Sequence, residues 1–157
     1  MKKKHIHRSV MISLVLSILF FLCLFVAPCL MPEIVSALIH LHDHLPGREA
    51  IGDNGVVGLF LLAYGVLFTA VAANIMLFWL LLRVKNALVF TEKSVSLVRG
   101  ISWCAMGVGG YFLLLGFYFL IALAIGFCAL FMGLCLRVVK NVIEEATAIK
   151  QENDLTI

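Results

Sequence analysis

The longest uncharged stretch of the chain is residues 100–136, GISWCAMGVGGYFLLLGFYFLIALAIGFCALFMGLCL. As one helix, these 37 residues would extend about 55 Å, whereas the hydrocarbon core of a bilayer is about 30 Å thick. Two helices joined by a tight turn need at least about 34 residues, so a pair also fits. Length alone therefore leaves one long helix and two shorter helices open.

Two further stretches, residues 9–32 and 54–82, contain no Asp, Glu, Lys or Arg, and each is long enough for one span. Over the whole chain 63% of residues are hydrophobic and 13% are charged, whereas soluble domains are about half apolar and a quarter charged. So few charged residues cannot cover a water-facing surface. The composition predicts an all-α integral membrane protein with a single membrane domain over residues 1–157, and it excludes a disordered chain.

The distribution of charge distinguishes three spans from four. Residues 1–8 contain four Lys and Arg residues, residues 33–53 have a net charge of −3, and residues 83–99 have a net charge of +3. Because Lys and Arg are retained on the cytoplasmic side, the N-terminus and the second loop are predicted to lie inside. Two spans in the longest stretch return Arg137 and Lys140 to the cytoplasm. We therefore predict a four-helix transmembrane bundle in the cell membrane, with both termini cytoplasmic.

The boundaries follow from these stretches. We expect spans at residues 10–31, 56–82, 100–118 and 120–138, an outer loop at 32–55, an inner loop at 83–99 and a cytoplasmic tail at 139–157. The last two helices would be joined by a short outer turn near Phe117–Leu120. Pro28 and Pro32 are expected to kink or end the first helix, because proline lacks the N–H donor. The basic start also resembles a signal peptide, but no Ala-x-Ala site follows, so we expect an uncleaved anchor.

The expected outer loop contains a cluster of side chains that could bind a metal, namely His40, His42, Asp43 and His44. On a helix His40 and His44 would lie one turn apart, and on a strand the three histidines would share a face. The alternative is an exposed amphipathic turn at the membrane surface, which we favour. We therefore predict no metal site and no cofactor. No nucleophile–base pair is visible in the sequence, so we also predict no enzymatic activity.

The three uncharged stretches, residues 9–32, 54–82 and 100–136, contain no His either. This disfavours a coupled transporter or an ion pump, because such proteins usually carry an ionisable side chain within the membrane. Asn74 is expected to form a hydrogen bond between helices. Small residues also recur four positions apart, which favours intramolecular packing and leaves a homo-oligomer open. They are Gly65, Thr69 and Ala73, then Ala105 and Gly109, then Ala122 and Gly126.

The cytoplasmic segments combine a helix cap with an amphipathic helix. Thr91 is a good N-cap for a helix that begins near Glu92, and Phe90 would anchor the inner loop. After Arg137 the fourth helix should continue, with an apolar stripe of Val138, Val142, Ala146 and Ile149. This stripe would pack on the chain's own inner loop, which we favour, or on another protein. The candidate partner-binding residues are Phe90, Thr91, Arg99, Val138, Val142, Ala146, Ile149 and Asp154.

Two of these segments resemble the family called domain of unknown function 2975. They are FTEKSVSLVRGI at residues 90–101, and LRVVKNVIEEA with IKQENDLTI at residues 136–146 and 149–157. Leu88 and Val89 depart from the family pattern, where relatives often have Gly and Pro. The resemblance implies a small bacterial four-span membrane protein without assigned biochemistry. It also implies a gene neighbour that encodes a small Cro/CI-type helix-turn-helix regulator.

Three functions are compatible with these observations. The first is a regulatory interaction protein that engages such a regulator through its inner loop and tail. The second is an immunity or envelope-stress membrane protein, and the third is a small permease or transporter accessory subunit. Direct binding of nucleic acid is not expected, because the net charge of +3 arises from the asymmetric placement of Lys and Arg around the membrane rather than from a basic groove.

Overall fold

The computed structural model of the chain describes the backbone of residues 2–44, 51–86 and 88–155, and the side chains of residues 9–44, 51–86 and 88–153. The described residues form four α-helices. They are α1 (Lys2–Asp43), α2 (Asp53–Lys85), α3 (Glu92–Leu115) and α4 (Leu120–Leu155). Each helix is long and apolar enough to cross a membrane. The predicted all-α architecture, with four helices long and apolar enough to span a membrane, is therefore confirmed.

The surface of the helices is strongly apolar. Large aromatic side chains are exposed on three different elements. Phe25 of α1 is 79% exposed, Phe68 of α2 is 76% exposed, and Phe117 in the turn after α3 is 83% exposed. Large exposed aromatic side chains on so many elements are typical of a surface that meets a membrane or a partner. Together with the four long helices, it fits a multi-pass membrane protein surrounded by lipid.

Helix α1 is longer than its sequence suggests. Pro28 and Pro32 lie inside the helix, which continues to Asp43. The prolines do not end the helix, and the first half of the expected outer loop at residues 32–55 is helical. Within hydrocarbon, backbone N–H and C=O groups can be paired only inside a helix or a closed barrel. The helix therefore continues past each proline although one N–H donor is missing there. Val35 is buried, which ties this extension to the rest of the bundle.

The turn between α3 and α4 lies where length predicted it. Helix α3 ends at Leu115 and α4 begins at Leu120. The backbone N–H of Gly116 donates to the carbonyl oxygens of Phe112 and Leu113, and that of Phe119 donates to Leu115 O at 2.9 Å. The turn therefore satisfies its own backbone donors without help from water. Following the predicted topology, we call the end with Asp43 and this turn the outer end, and the end with Arg99 and Arg137 the inner end.

Contacts between helices follow the order of the chain. Helix α1 packs on α2, α2 on α3, and α3 on α4, and no other pair of helices is in contact within the described residues. At the outer end, the rings of His42 and Phe119 meet edge to face with centroids 5.8 Å apart. The end of α1 therefore also contacts the turn between α3 and α4. Each helix thus packs on the next one along the chain, and one additional contact joins α1 to the α3–α4 turn at the outer end.

Helices α3 and α4 approach closely at glycine residues. A methyl group at Gly126 would lie 3.0 Å from Leu113 N and 3.2 Å from Gly109 O, and one at Gly133 would lie 3.3 Å from Ser102 O. At the same level, Ser102 Oγ donates a hydrogen bond of 2.8 Å to Gly133 O. Small residues allow backbones to approach in lipid. The predicted use of Gly109 and Gly126 for packing within one chain is confirmed.

Helices α1 and α2 are joined by a buried polar pair. Ser17 and Asn74 are 5% and 4% exposed. Ser17 Oγ donates to Asn74 Oδ1 at 2.9 Å, and Asn74 Nδ2 donates to Ser17 O at 3.2 Å. The expected hydrogen bond from Asn74 between helices is therefore confirmed, and its partner is Ser17. This pair fixes the position of α1 along α2.

We expect Gly126→Ala to destabilise the protein by about 1–3 kcal/mol, because the new methyl group meets backbone atoms of α3 that cannot rotate away. The measurement is unfolding of the purified protein in mixed micelles. Gly110→Ala is the matched control, since a methyl group there meets nothing within 4 Å. Equal stability of the two variants would show that the α3–α4 approach is not tight.

Asn74→Leu should lower stability by about 1 kcal/mol, because it removes both hydrogen bonds to Ser17. Ser17→Ala removes only the hydroxyl bond and should have a smaller effect. In a double-mutant cycle, Ser17→Ala should cost less in the Asn74→Leu background than in the wild type, since its partner is already absent. Fully additive effects would contradict the observed pairing.

Candidate functional site

A polar cap organises the start of α3 at the inner end. Thr91 is the N-cap, and its Oγ1 accepts a hydrogen bond of 3.4 Å from Ser94 N. Arg83 Nη1 of α2 donates to the same oxygen at 3.2 Å. Ser94 is buried, and its Oγ donates to Leu88 O at 2.9 Å. The predicted cap is confirmed, and in this structure Thr91 serves to link the C-terminal end of α2 with the N-terminal end of α3.

Phe90 lies next to this cap. Its side chain is 46% exposed, so half of the ring remains available on the inner loop. An anchor that fixed the loop by burial alone would be more enclosed. The prediction that Phe90 takes part in binding a partner stays a prediction, and its exposure is compatible with that role.

Charged side chains join α3 to the part of α4 that continues beyond its uncharged stretch. Arg99 Nη2 contacts Glu144 Oε1 at 3.3 Å, and the Lys140 ammonium pairs with the same carboxylate one turn earlier on α4. The Arg137 guanidinium lies over the Trp103 ring, 4.4 Å from its centroid, in a cation–π contact. These contacts hold the inner ends of α3 and α4 side by side.

One face of α4 is thus directed at α3. Glu144 and Thr147, with Gln151, line a polar groove of about 360 Å³ opposite Glu92 and Arg99. Glu144, Thr147 and Gln151 recur at i, i+3 and i+7, which places them on one side of a helix. Thr147 is buried and its Oγ1 donates to Ile143 O at 2.7 Å. The side that meets α3 is therefore mainly polar.

The apolar stripe of the tail faces the opposite direction. Val138, Val142 and Ile149 are 63%, 61% and 54% exposed, and Ala146 is half-buried. The expectation that the stripe packs on the chain's own inner loop is wrong for these three residues. Packing of Lys140, Glu144 and Thr147 towards α3 turns the stripe outward by about half a helical rotation. The side chain of Asp154 lies outside the described residues.

The outer histidines lie on a helix, so the strand alternative is wrong. His40 and His42 belong to α1, and His44 follows within one turn, its N–H donating to His40 O at 3.2 Å. His42 is buried against Phe119, whereas His40 and His44 are exposed. Asp43 Oδ1 lies 3.5 Å from His42 Nδ1. Within the described residues, no group of three potential metal ligands comes together.

The pairing of Trp103 with Arg137 was not anticipated. Sequence alone could not bring α3 and α4 into register. The available signal is that Trp103 follows Arg99 by one helical turn, so the two side chains share a face. Once α4 lies beside this face, a second groove forms between the two helices. It is lined by Arg99, Trp103, Arg137 and Lys140.

We expect Thr91→Ala to lower stability by about 1 kcal/mol, because α3 loses its N-cap and Arg83 loses an acceptor. Thr91→Ser, which retains the hydroxyl, should remain close to the wild type, and the exposed Ser96→Ala is a control for hydroxyl loss elsewhere in α3. Thermal unfolding in detergent provides the measurement. A Thr91→Ala variant as stable as the wild type would show that the cap contributes nothing.

Comparison with known proteins supplies one match. Residues 3–157 match the family described as a protein of unknown function (DUF2975). No curated protein and no solved structure matches the chain. The match includes α1 to α4, together with the inner loop and tail on which the resemblance was based. Since it covers essentially the whole sequence, the chain belongs to the DUF2975 family.

Proposed function

We propose that this protein is a membrane-embedded regulatory protein that holds a small cytoplasmic helix-turn-helix regulator through its tail and inner loop. The observation that carries the proposal is the outward direction of the apolar stripe on α4. Val138, Val142 and Ile149 are exposed although they lie on a helix long enough to pack on its neighbour. The proposal assigns no chemical reaction to the chain.

The stripe has the form of a helix that docks into an apolar groove. Its members are spaced so that they lie along one side of α4, which is the pattern that helix-in-groove recognition uses. The opposite side is already occupied by contacts with α3 through Glu144 and Lys140. A partner that binds the stripe would therefore leave the bundle undisturbed. Burial of a fully exposed Val or Ile contributes about 1.5–3 kcal/mol.

The candidate residues take different parts in this proposal. Val138, Val142 and Ile149 would contact the regulator directly, and Phe90 would extend the apolar surface from the inner loop. Thr91 would act through the cap that positions Phe90, and Arg99 through its ion pair with Glu144. The family resemblance, which implies a Cro/CI-type regulator as gene neighbour, supports the choice of partner.

We expect Val142→Ser with Ile149→Ser to abolish co-purification of a helix-turn-helix regulator, because the partner loses two apolar contacts. The protein is tagged at its N-terminus, extracted from its native membrane in mild detergent, and analysed by mass spectrometry. Expression of the regulator's target genes should change in the same variant. Lys150→Ser, also exposed on the tail, is the control and should retain the regulator.

Truncation after Lys140 provides a second test of the same site. It removes Val142 and Ile149 but leaves α1 to α3 and the apolar part of α4. If the truncated protein still binds the regulator and target transcription is unchanged, the tail is not the binding site. Recovery of transport components in place of a regulator would overturn the regulatory proposal and favour an accessory role in transport.

A further inference from the structure

A second groove separates α3 from α4 at the inner end. It has a volume of about 280 Å³ and is lined by Arg99, Trp103, Arg137, Lys140 and Asn141. Three of these side chains are cationic, one is an indole and one is an amide. Arg99 immediately precedes the uncharged stretch of residues 100–136, and Arg137 immediately follows it. The groove therefore lies where hydrocarbon gives way to headgroups, the level at which Trp side chains concentrate.

The positive charge of this groove is only partly balanced. The Glu144 carboxylate pairs with both Arg99 and Lys140 and so neutralises one of the three positive charges. Arg137 stacks on Trp103, and within residues 9–44, 51–86 and 88–153 no carboxylate forms an ion pair with its guanidinium. A guanidinium carries five N–H donors in a planar fork, and stacking on a ring leaves them directed sideways.

We propose that this groove binds the phosphate of an anionic phospholipid headgroup. Arg137 would supply the bidentate donors that phosphate oxygens accept, and Lys140 would add a point charge. Asn141 and the indole N–H of Trp103 add neutral donors at the rim. Basic pockets between transmembrane helices are suited to lipid headgroups because the phosphates of the bilayer lie at the same depth.

A lipid fits the surroundings of the groove better than a soluble anion does. Trp103, which lines the groove, is more than half exposed, so its indole presents apolar surface beside the cationic side chains. An acyl chain would cover this surface while its headgroup occupies the groove. The proposed regulator site is separate, because the stripe of Val142 and Ile149 lies on the other side of α4. The lipid proposal therefore does not depend on the regulator.

The test is native mass spectrometry of the full chain in an uncharged detergent, titrated with phosphatidylglycerol or with phosphatidylcholine of the same acyl chains. We expect one phosphatidylglycerol to bind preferentially. Arg137→Gln with Lys140→Gln should weaken that binding at least about tenfold, since each basic side chain near the headgroups contributes to attraction of anionic lipid. Arg137→Lys, which retains the charge and loses the fork, should have an intermediate affinity.

Lys85→Gln with Lys93→Gln is the matched control. Both lysines are exposed at the inner end and outside the groove, so this variant has the same net charge and should bind the lipid as the wild type does. Equal weakening in both double variants, or none in the groove variant, would overturn the proposal. Thermal unfolding of each variant shows whether it folds. If the groove double variant does not fold, the affinity of the Arg137→Lys variant for phosphatidylglycerol tests the proposal in its place.

A final titration with inorganic phosphate distinguishes the source of the anion. If the groove binds lipid, millimolar phosphate should leave phosphatidylglycerol bound, because the acyl chains add apolar contacts that a free ion lacks. Displacement of the lipid by inorganic phosphate, with phosphatidylcholine and phosphatidylglycerol binding alike, would assign the groove to a soluble anion and overturn the choice of a lipid.

Discussion

The close approach of the α3 and α4 backbones at Gly126 and Gly133 is the contact on which the inner end depends. Two helices that meet at glycine have little freedom to rotate about their axes, because backbone atoms rather than flexible side chains limit the distance. Ser102, which donates to Gly133 O, fixes the register as well. Since α4 is one continuous helix to Leu155, the rotation set within the membrane is transmitted to the tail.

This transmission explains the arrangement of the tail. With α4 held in that orientation, Lys140 and Glu144 face α3, and Glu144 can pair with Arg99. Arg137 reaches Trp103 for the same reason. Both the cationic groove and the outward stripe of Val142 and Ile149 follow from one property, the rotation of α4 about its own axis relative to α3. The two proposed sites are thus independent in chemistry but share one structural origin.

Much of this fold could be predicted from the sequence because a bilayer imposes simple lengths and charge rules. The uncharged stretches together with the placement of Lys and Arg gave the number of helices, and the 37 residues between Arg99 and Arg137 left room for a turn near Phe117–Leu120. Thr91 was recognisable as a cap because its side chain acts on residues close to it in the chain. Gly126 was recognisable as a packing residue because lipid-embedded helices need small side chains to approach.

Other features could not be predicted because they depend on neighbours distant in sequence. The apolar stripe was visible in the tail, but its direction depends on Gly133 and Ser102. The part of α1 beyond Pro32 contains the buried residues Val35 and His42, and local proline chemistry does not indicate this tertiary contact. The groove at Arg137 required Trp103 from another helix. In each case the missing information was the relative position of two helices.

The sequential order of helix contacts has a consequence for how the protein is made. Each helix packs on the one that the ribosome produced just before it, so Asn74 meets a Ser17 that is already in the membrane, and no span waits for a distant partner. Such local pairing favours rapid assembly in step with synthesis. The contact of His42 with Phe119 is different, because it must await the end of the third helix. The outer end is therefore completed late, when the bundle around it has largely formed.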